Sequence, residues 1–212
     1  CFSTITSMII MLSMVGPALL IPLYVQNALG LSALLSGLVI MPGAIINGIM
    51  SVFTGKFYDK YGPRPLIFTG FILLISCTFL LCFLKVDTSY TYLIVIYAIR
   101  MFAVSLLMMP INTTGINALK TEDISHGTAI MNFGRVMAGS LGTALMVTFM
   151  SIGAQWVVSS SEHASKEMIQ RQSVAVGVDV SFALVTVFVI IAFVLALFIK
   201  EPNHLTHNSR KV

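Results

Sequence analysis

The first thing this sequence lacks is charge. Only 9% of its 212 residues are Asp, Glu, Lys or Arg, against about 25% in a soluble domain. From Cys1 to Thr54 there is no charged residue at all. With 57% hydrophobic residues and a mean hydropathy of +0.95, water is not its main solvent, and the excess apolar surface is expected to face lipid. The net charge of +4 is small and unevenly placed, so a nucleic-acid partner has no support. Cysteine is scarce too: Cys77 and Cys82 are five apart, point to different faces of one helix, and form neither a disulfide nor a metal pair. His204 and His207 make a lone H-x-x-H in a polar tail, a solvated segment rather than a metal site. No Walker-type phosphate loop occurs, so direct ATP drive is unsupported. No Ser/His or paired-Asp constellation lies in the apolar runs, so the chain is not expected to be an enzyme, and no cofactor is implied. The first residue is Cys1, with no basic leader or cleavage site after it, so the chain is expected to be part of a longer protein.

What is present is a set of long apolar runs. A helix needs about 20 apolar residues to cross a hydrocarbon core of about 30 Å. Polar, turn-prone Gln26, Asn27, Gly30 and Ser32 divide the first run into spans 5–25 and 34–54. Further spans are expected at 66–84, 92–110, 128–152 and 181–199, with a hydrophilic segment at 155–172 and a polar tail at 200–212. This predicts an all-α integral membrane bundle of six transmembrane helices. Lys and Arg placement orients it. With Cys1 inside, the cytoplasmic side holds Lys56, Lys60, Arg64, Lys120, Lys200, Arg210 and Lys211, and the outer side Lys85, Lys166 and Arg171. Both ends are therefore expected in the cytoplasm, at the plasma membrane.

The stretch GKFYDKYGPRP, residues 55–65, gathers four charges between spans two and three. Gly55 is expected to end span two, since glycine adopts the left-handed C′ conformation without a Cβ clash. Pro65 suits the first turn of span three. Asp59 can accept N–H bonds at a helix start, while Lys60 and Arg64 can pair with carboxylates or lipid phosphates. On the residues alone, this is equally an ordinary positive-inside loop.

The spacing of Gly55, Asp59, Lys60, Gly62 and Arg64 matches G-x-x-x-D-(R/K)-x-G-x-(R/K), and so resembles the signature loop of the major facilitator superfamily. Phe57 stands where Leu is usual in that loop, and Pro63 where a basic residue is common. A second block, residues 108–145, resembles the late spans of the 14-span drug:proton antiporters of the EmrB/QacA type. It carries Pro110, Gly115, Asn117, Ala118 and Leu119, then His126, Gly127, Ala129, Asn132, Arg135, Gly139, Ser140, Gly142 and Thr143. The resemblance implies the C-terminal half of such a transporter, built as a 3+3 inverted repeat. It makes residues 55–64 a cytoplasmic latch, with Asp59 as the latch acid and Lys60 and Arg64 its basic companions. It also implies lipophilic substrates, protons and a missing N-terminal half as partners.

Charges inside the spans carry the chemistry. Arg100 lies eight residues into span four, about 12 Å from its outer edge, where arginine costs about 2.5–3.5 kcal/mol on the insertion scale. It is expected to face the bundle interior or a cavity, either as a charge in the transport pathway or as a lock on backbone carbonyls of another helix. Arg135 is expected to point inward near the cytoplasmic mouth, as a structural or gating charge rather than a substrate contact in the pathway; Gly134, Ala138 and Gly142 beside it have the small-x-x-x-small spacing of a packing helix. No Asp, Glu or His lies well inside a span, so the main proton-loading group is expected in the missing half, with Asp179 the remaining candidate here. Gln26, Asn47, Asn112, Asn117 and Asn132 form the candidate cavity lining. Met8, Met11, Met14, Met101, Met108 and Met109 suit a promiscuous pocket or plain core filling. The expected function is proton-coupled efflux of lipophilic compounds by alternating access. The rivals are a facilitator for a metabolite or lipid, and a six-span scaffold that transports nothing.

Overall fold

The computed structural model describes residues 2–117, 119–160 and 166–198. These form six helices: α1 (Phe2–Asn27), α2 (Ala33–Tyr61), α3 (Pro63–Leu80), α4 (Tyr90–Asn117), α5 (Ile124–Ser160) and α6 (Lys166–Leu197). All six are long and apolar enough to cross a membrane. A helix is the one way a single segment satisfies its own N–H and C=O groups in hydrocarbon. The predicted tail at 200–212 lies outside the described residues.

Five of the six helices outrun the apolar stretches that predicted them. The span expected to begin at Ser181 belongs to a helix that starts at Lys166, and the hydrophilic stretch before it is helical at 155–160 and again at 166–172. Apolar runs mark where the lipid is, whereas intrahelical hydrogen bonds persist into water. With 37 residues, α5 is about 55 Å long, well beyond a core of about 30 Å.

The first helix ends on a left-handed Gly30 (φ 69), with Leu31 N–H donating back to Val25 O at 3.1 Å, a Schellman-type stop. Ser32 then caps α2 by accepting from Leu35 N–H. Contrary to the expectation that Gly55 ends it, the second helix does not stop there. It continues through Lys56, Asp59 and Lys60 to Tyr61, and the left-handed residue is Gly62 (φ 79), followed at once by Pro63 in the first turn of α3. Charged residues in water do not break a helix; the Gly62-Pro63 pair does.

The helices pair as α1 with α5, α2 with α4, α3 with α4, α1 with α6, and α5 with α6. Exchanging α1 with α4, α2 with α5 and α3 with α6 maps α1–α5 onto α4–α2, and α3–α4 onto α6–α1. Each triplet has an odd number of spans, so the two halves of this six-helix unit are inverted in the membrane. The core between them is filled by Tyr24, Phe71, Leu74, Leu81, Leu93, Tyr97, Leu107 and Phe182, all essentially inaccessible. The fourth helix is the most enclosed, while α2 and α5 are the least. One face of α2 is left bare, carrying Leu34, Leu38, Met41, Ile45, Ile49 and Val52.

Candidate functional site

Four residues spaced four apart on α2, Gly43, Asn47, Ser51 and Gly55, form one helix face turned toward α4. Gly43 has no side chain where the ring of Tyr97 and the stem of Met101 press in, at 2.8–3.0 Å from the place a Cβ would take. Gly55 accepts the methyl end of Met109 in the same way, at 3.1 Å. Between these two close approaches the helices part, and an open pocket of about 300 Å³ remains. Asn47 and Ser51 line it from α2; Ser105, Met108, Met109, Asn112 and Thr113 line it from one face of α4. No charged residue takes part.

Hydrogen bonds set which polar ends are on offer there. Asn47 Nδ2 donates to Met101 O across the helix pair at 3.2 Å, and Ser105 Oγ donates to Asn47 O at 3.5 Å. Ser51 Oγ donates to Gly48 O in its own helix. Asn112 Oδ1 is covered by protein and finds no donor. The structure thus brings Asn47 and Asn112 together with Met108 and Met109. The other amides lie elsewhere. Gln26, at the end of α1, donates to Ser36 Oγ at 3.0 Å; Asn117 is exposed on the last turn of α4; Asn132 is exposed on α5 and accepts from Arg135. Of the remaining methionines, Met8 and Met11 pack over Gly134 and Gly139, and Met101 belongs to the core. Ser51, Ser105 and Thr113 are not singled out by the sequence reading; the signal for Ser51 lies in the four-residue stripe on α2, and that for Ser105 in its spacing to Met108 and Asn112 on α4.

Arg100 is wholly buried, and its Nη2 donates to Ser13 O on α1. That carbonyl is special. Ser13 stands four residues before Pro17, and Pro17 has no N–H to give it. The guanidinium supplies from α4 the donor that proline removes from α1. Arg100 Nε and Nη1 have no partner among the described residues, and Tyr97 and Cys77 stand near them. Arg100 is therefore bonded between the first helices of the two triplets, away from the pocket lining.

Arg135 is half-buried on α5, and its Nη2 donates to Asn132 Oδ1, one turn back. Its neighbours hold α5 to α1. Gly134 meets Met8, and a Cβ at Gly142 would stand 3.0 Å from the Leu12 Cα. At the Gly62 turn, Asp59 is exposed in the last turn of α2 and makes no hydrogen bond or ion pair with a described residue; it does not cap α3. Lys60 Nζ lies 5.2 Å over the Tyr61 ring, and Arg64 sits in the first turn of α3. At the opposite end of the bundle, Asp179 Oδ1 accepts from Leu84 N–H at 3.0 Å and so stops α3 and its final 3₁₀ turn. Among the described residues, no group of three or more His, Cys, Asp and Glu gathers to hold a metal ion.

Comparison with known proteins places this arrangement. Residues 2–143 match the sequence profile of the Major Facilitator Superfamily. The chain is 37% identical over 185 residues to the lincomycin resistance protein LmrB of Listeria monocytogenes, covering 87% of this chain and 39% of that protein. It is 35% identical over 193 residues to the LmrB of Bacillus subtilis, covering 91% and 40%. Similarity to the multidrug export protein EmrB of Escherichia coli is 29% over 134 residues, covering 63% and 26%. The chain thus spans about two fifths of the length of the two lincomycin-resistance relatives. Six apolar helices in two triplets, with a profile match over more than half the chain, have one reading: the chain belongs to the Major Facilitator Superfamily, as an integral, multi-pass membrane protein.

Proposed function

We propose that this six-helix unit works as one half of a secondary transporter that expels lipophilic compounds in exchange for protons. The observation that carries this reading is the uncharged pocket between α2 and α4. It combines amides, hydroxyls and two thioethers, which suit chemically varied apolar ligands. Its volume of about 300 Å³ falls at the small end for ligand sites, as expected of one wall of a larger cavity. The names of the relatives, lincomycin resistance and multidrug export, point the same way. A second half, packed against the bare faces of α2 and α5, would complete the cavity and rock against this one in alternating access. The Lys/Arg-rich end with the Gly62 turn would face the cytoplasm.

In a host stripped of its own pumps, expression of the complete reading frame is expected to lower accumulation of unrelated lipophilic dyes. A protonophore should restore the accumulation. Efflux that persists without a proton gradient would remove the antiport mechanism. Efflux of none of the dyes would favour a metabolite or lipid facilitator, or a scaffold.

The same assay tests the latch. An acid in the last turn of a helix opposes the macrodipole, so Asp59 costs α2 stability unless something outside this unit compensates. We infer that the compensation is a contact with basic groups or a helix start in the other half, made in one transport state, with Lys60, Gly62 and Arg64 shaping the turn. Asp59→Asn should leave the membrane level of the protein intact and cut dye efflux about tenfold, the shift that about 1.4 kcal/mol of lost state preference produces. Unchanged efflux would sink the latch role.

A further inference from the structure

Beside the hydroxyl of Thr113, the two amides of the pocket offer a fixed acceptor and a free donor on two different helices. The Asn47 amide cannot turn without breaking its bond to Met101 O, so the end it presents is Oδ1, which receives no donor among the described residues. Asn112 is the reverse. Neither end of its amide has a hydrogen-bond partner among the described residues, so the group is free to turn and present Nδ2 to the pocket. The hydroxyls of Ser51 and Ser105 are already spent as donors on Gly48 O and Asn47 O. Met108 and Met109 supply apolar wall beside these groups. A charged ligand group would find no counter-charge here, and burying it unpaired is costly. An uncharged group that donates on one side and accepts on the other pairs with Asn47 Oδ1 and Asn112 Nδ2 together.

We propose that this pocket recognises a secondary amide carried on a lipophilic compound, its N–H donated to Asn47 Oδ1 and its C=O accepting from Asn112 Nδ2. The proposal rests on the efflux reading of the same pocket and adds the chemical class that the pocket selects. It also divides the work between the two residues. Asn47 is a positioned acceptor, held by the α4 backbone, and Asn112 is the specificity-determining donor. Selection arises because a ligand without the amide leaves polar ends unpaired, which disfavours it more than the amide favours its owner.

Binding separates this proposal from transport. The complete, detergent-solubilised protein is titrated with a fluorescent lipophilic secondary amide, its N-methyl derivative, and a parent dye of similar size without the amide. The secondary amide is expected to bind about tenfold more tightly than its N-methyl derivative, the value of one well-made hydrogen bond. Asn112→Leu should weaken both amides about tenfold and, by removing a polar end that the parent dye leaves unpaired, should not weaken the parent dye. Equal Kd values for the three probes on the unaltered protein overturn the proposal without any variant. An equal loss of all three in Asn112→Leu overturns the donor role. Amide selectivity in binding without dye efflux in cells upholds the proposal while the efflux reading fails.

Discussion

Gly177→Val is expected to remove nearly all folded protein from the membrane. A Cβ at Gly177 would collide with the carbonyl oxygen of Met150 on α5, and the opposing Gly153 already lies so close that its own Cβ would meet the Gly177 Cα at 2.9 Å. The obstructing atoms on both sides are backbone, so no rotamer change relieves the clash and the two helices must separate. Overpacking a core costs about 1–3 kcal/mol where side chains can yield, and occasionally more. Here nothing can yield, and the penalty falls at or above the top of that range. Losses of about 1–2 kcal/mol already change cellular abundance several-fold. The folded peak in fluorescence-detected size-exclusion chromatography should therefore drop about tenfold or more. Val187→Ala, on the exposed face of the same helix, should leave the peak unchanged. A normal peak for Gly177→Val would mean that α5 and α6 do not cross at these glycines.

This crossing also explains where the two triplets differ. Under their exchange, α5–α6 corresponds to α2–α3, yet α2 and α3 barely meet while α5 and α6 pack along their length. Neither Gly153 nor Gly177 belongs to a motif, and each becomes meaningful only through the other, from a different helix. No periodicity in one segment can announce that. By contrast, Gly134 and Gly142 were legible as a packing stripe because their spacing lies within α5, and α5 does use them against α1.

Six helices could be read from apolar runs and the polar or turn-prone residues that divide them, since a residue that must face lipid leaves its mark in composition. Helix ends could not. Beyond the lipid, stopping depends on backbone geometry, which is why Gly55, placed where the charges begin, continues α2 while Gly62, placed before a proline, ends it. The amides show the same division. Polarity identified Asn47 and Asn112, yet it selected Gln26, Asn117 and Asn132 just as readily, because polarity does not say which way a helix face looks. The face is encoded in spacing: Gly43, Asn47, Ser51 and Gly55 on α2, and Ser105, Met108, Asn112 on α4. Only the pairing of α2 with α4 turns the two stripes into one pocket.

Arg100→Met is expected to be far more damaging when Pro17 is present than when residue 17 is alanine. Arginine and proline are each costly inside a membrane helix, one for its charge and the other for the carbonyl it leaves without a donor. In this chain they lie on different helices and answer one another at Ser13 O. Removing Arg100 alone orphans that carbonyl, at about 1–3 kcal/mol. In the Pro17→Ala background the helix supplies its own N–H to Ser13 O, so the same substitution should cost less by about 1–2 kcal/mol. Denaturant titration of the four proteins of the cycle in detergent measures the difference. Additive effects would show that the bond from Arg100 to Ser13 does not hold α4 to α1. The fourth protein, carrying both substitutions, also decides between the two roles the sequence left open for Arg100. If it folds and transports, Arg100 is a lock between the two triplets and nothing more. If it folds and does not transport, the guanidinium has a second duty in the pathway, and its Nε and Nη1, unpaired among the described residues, are the atoms available for it.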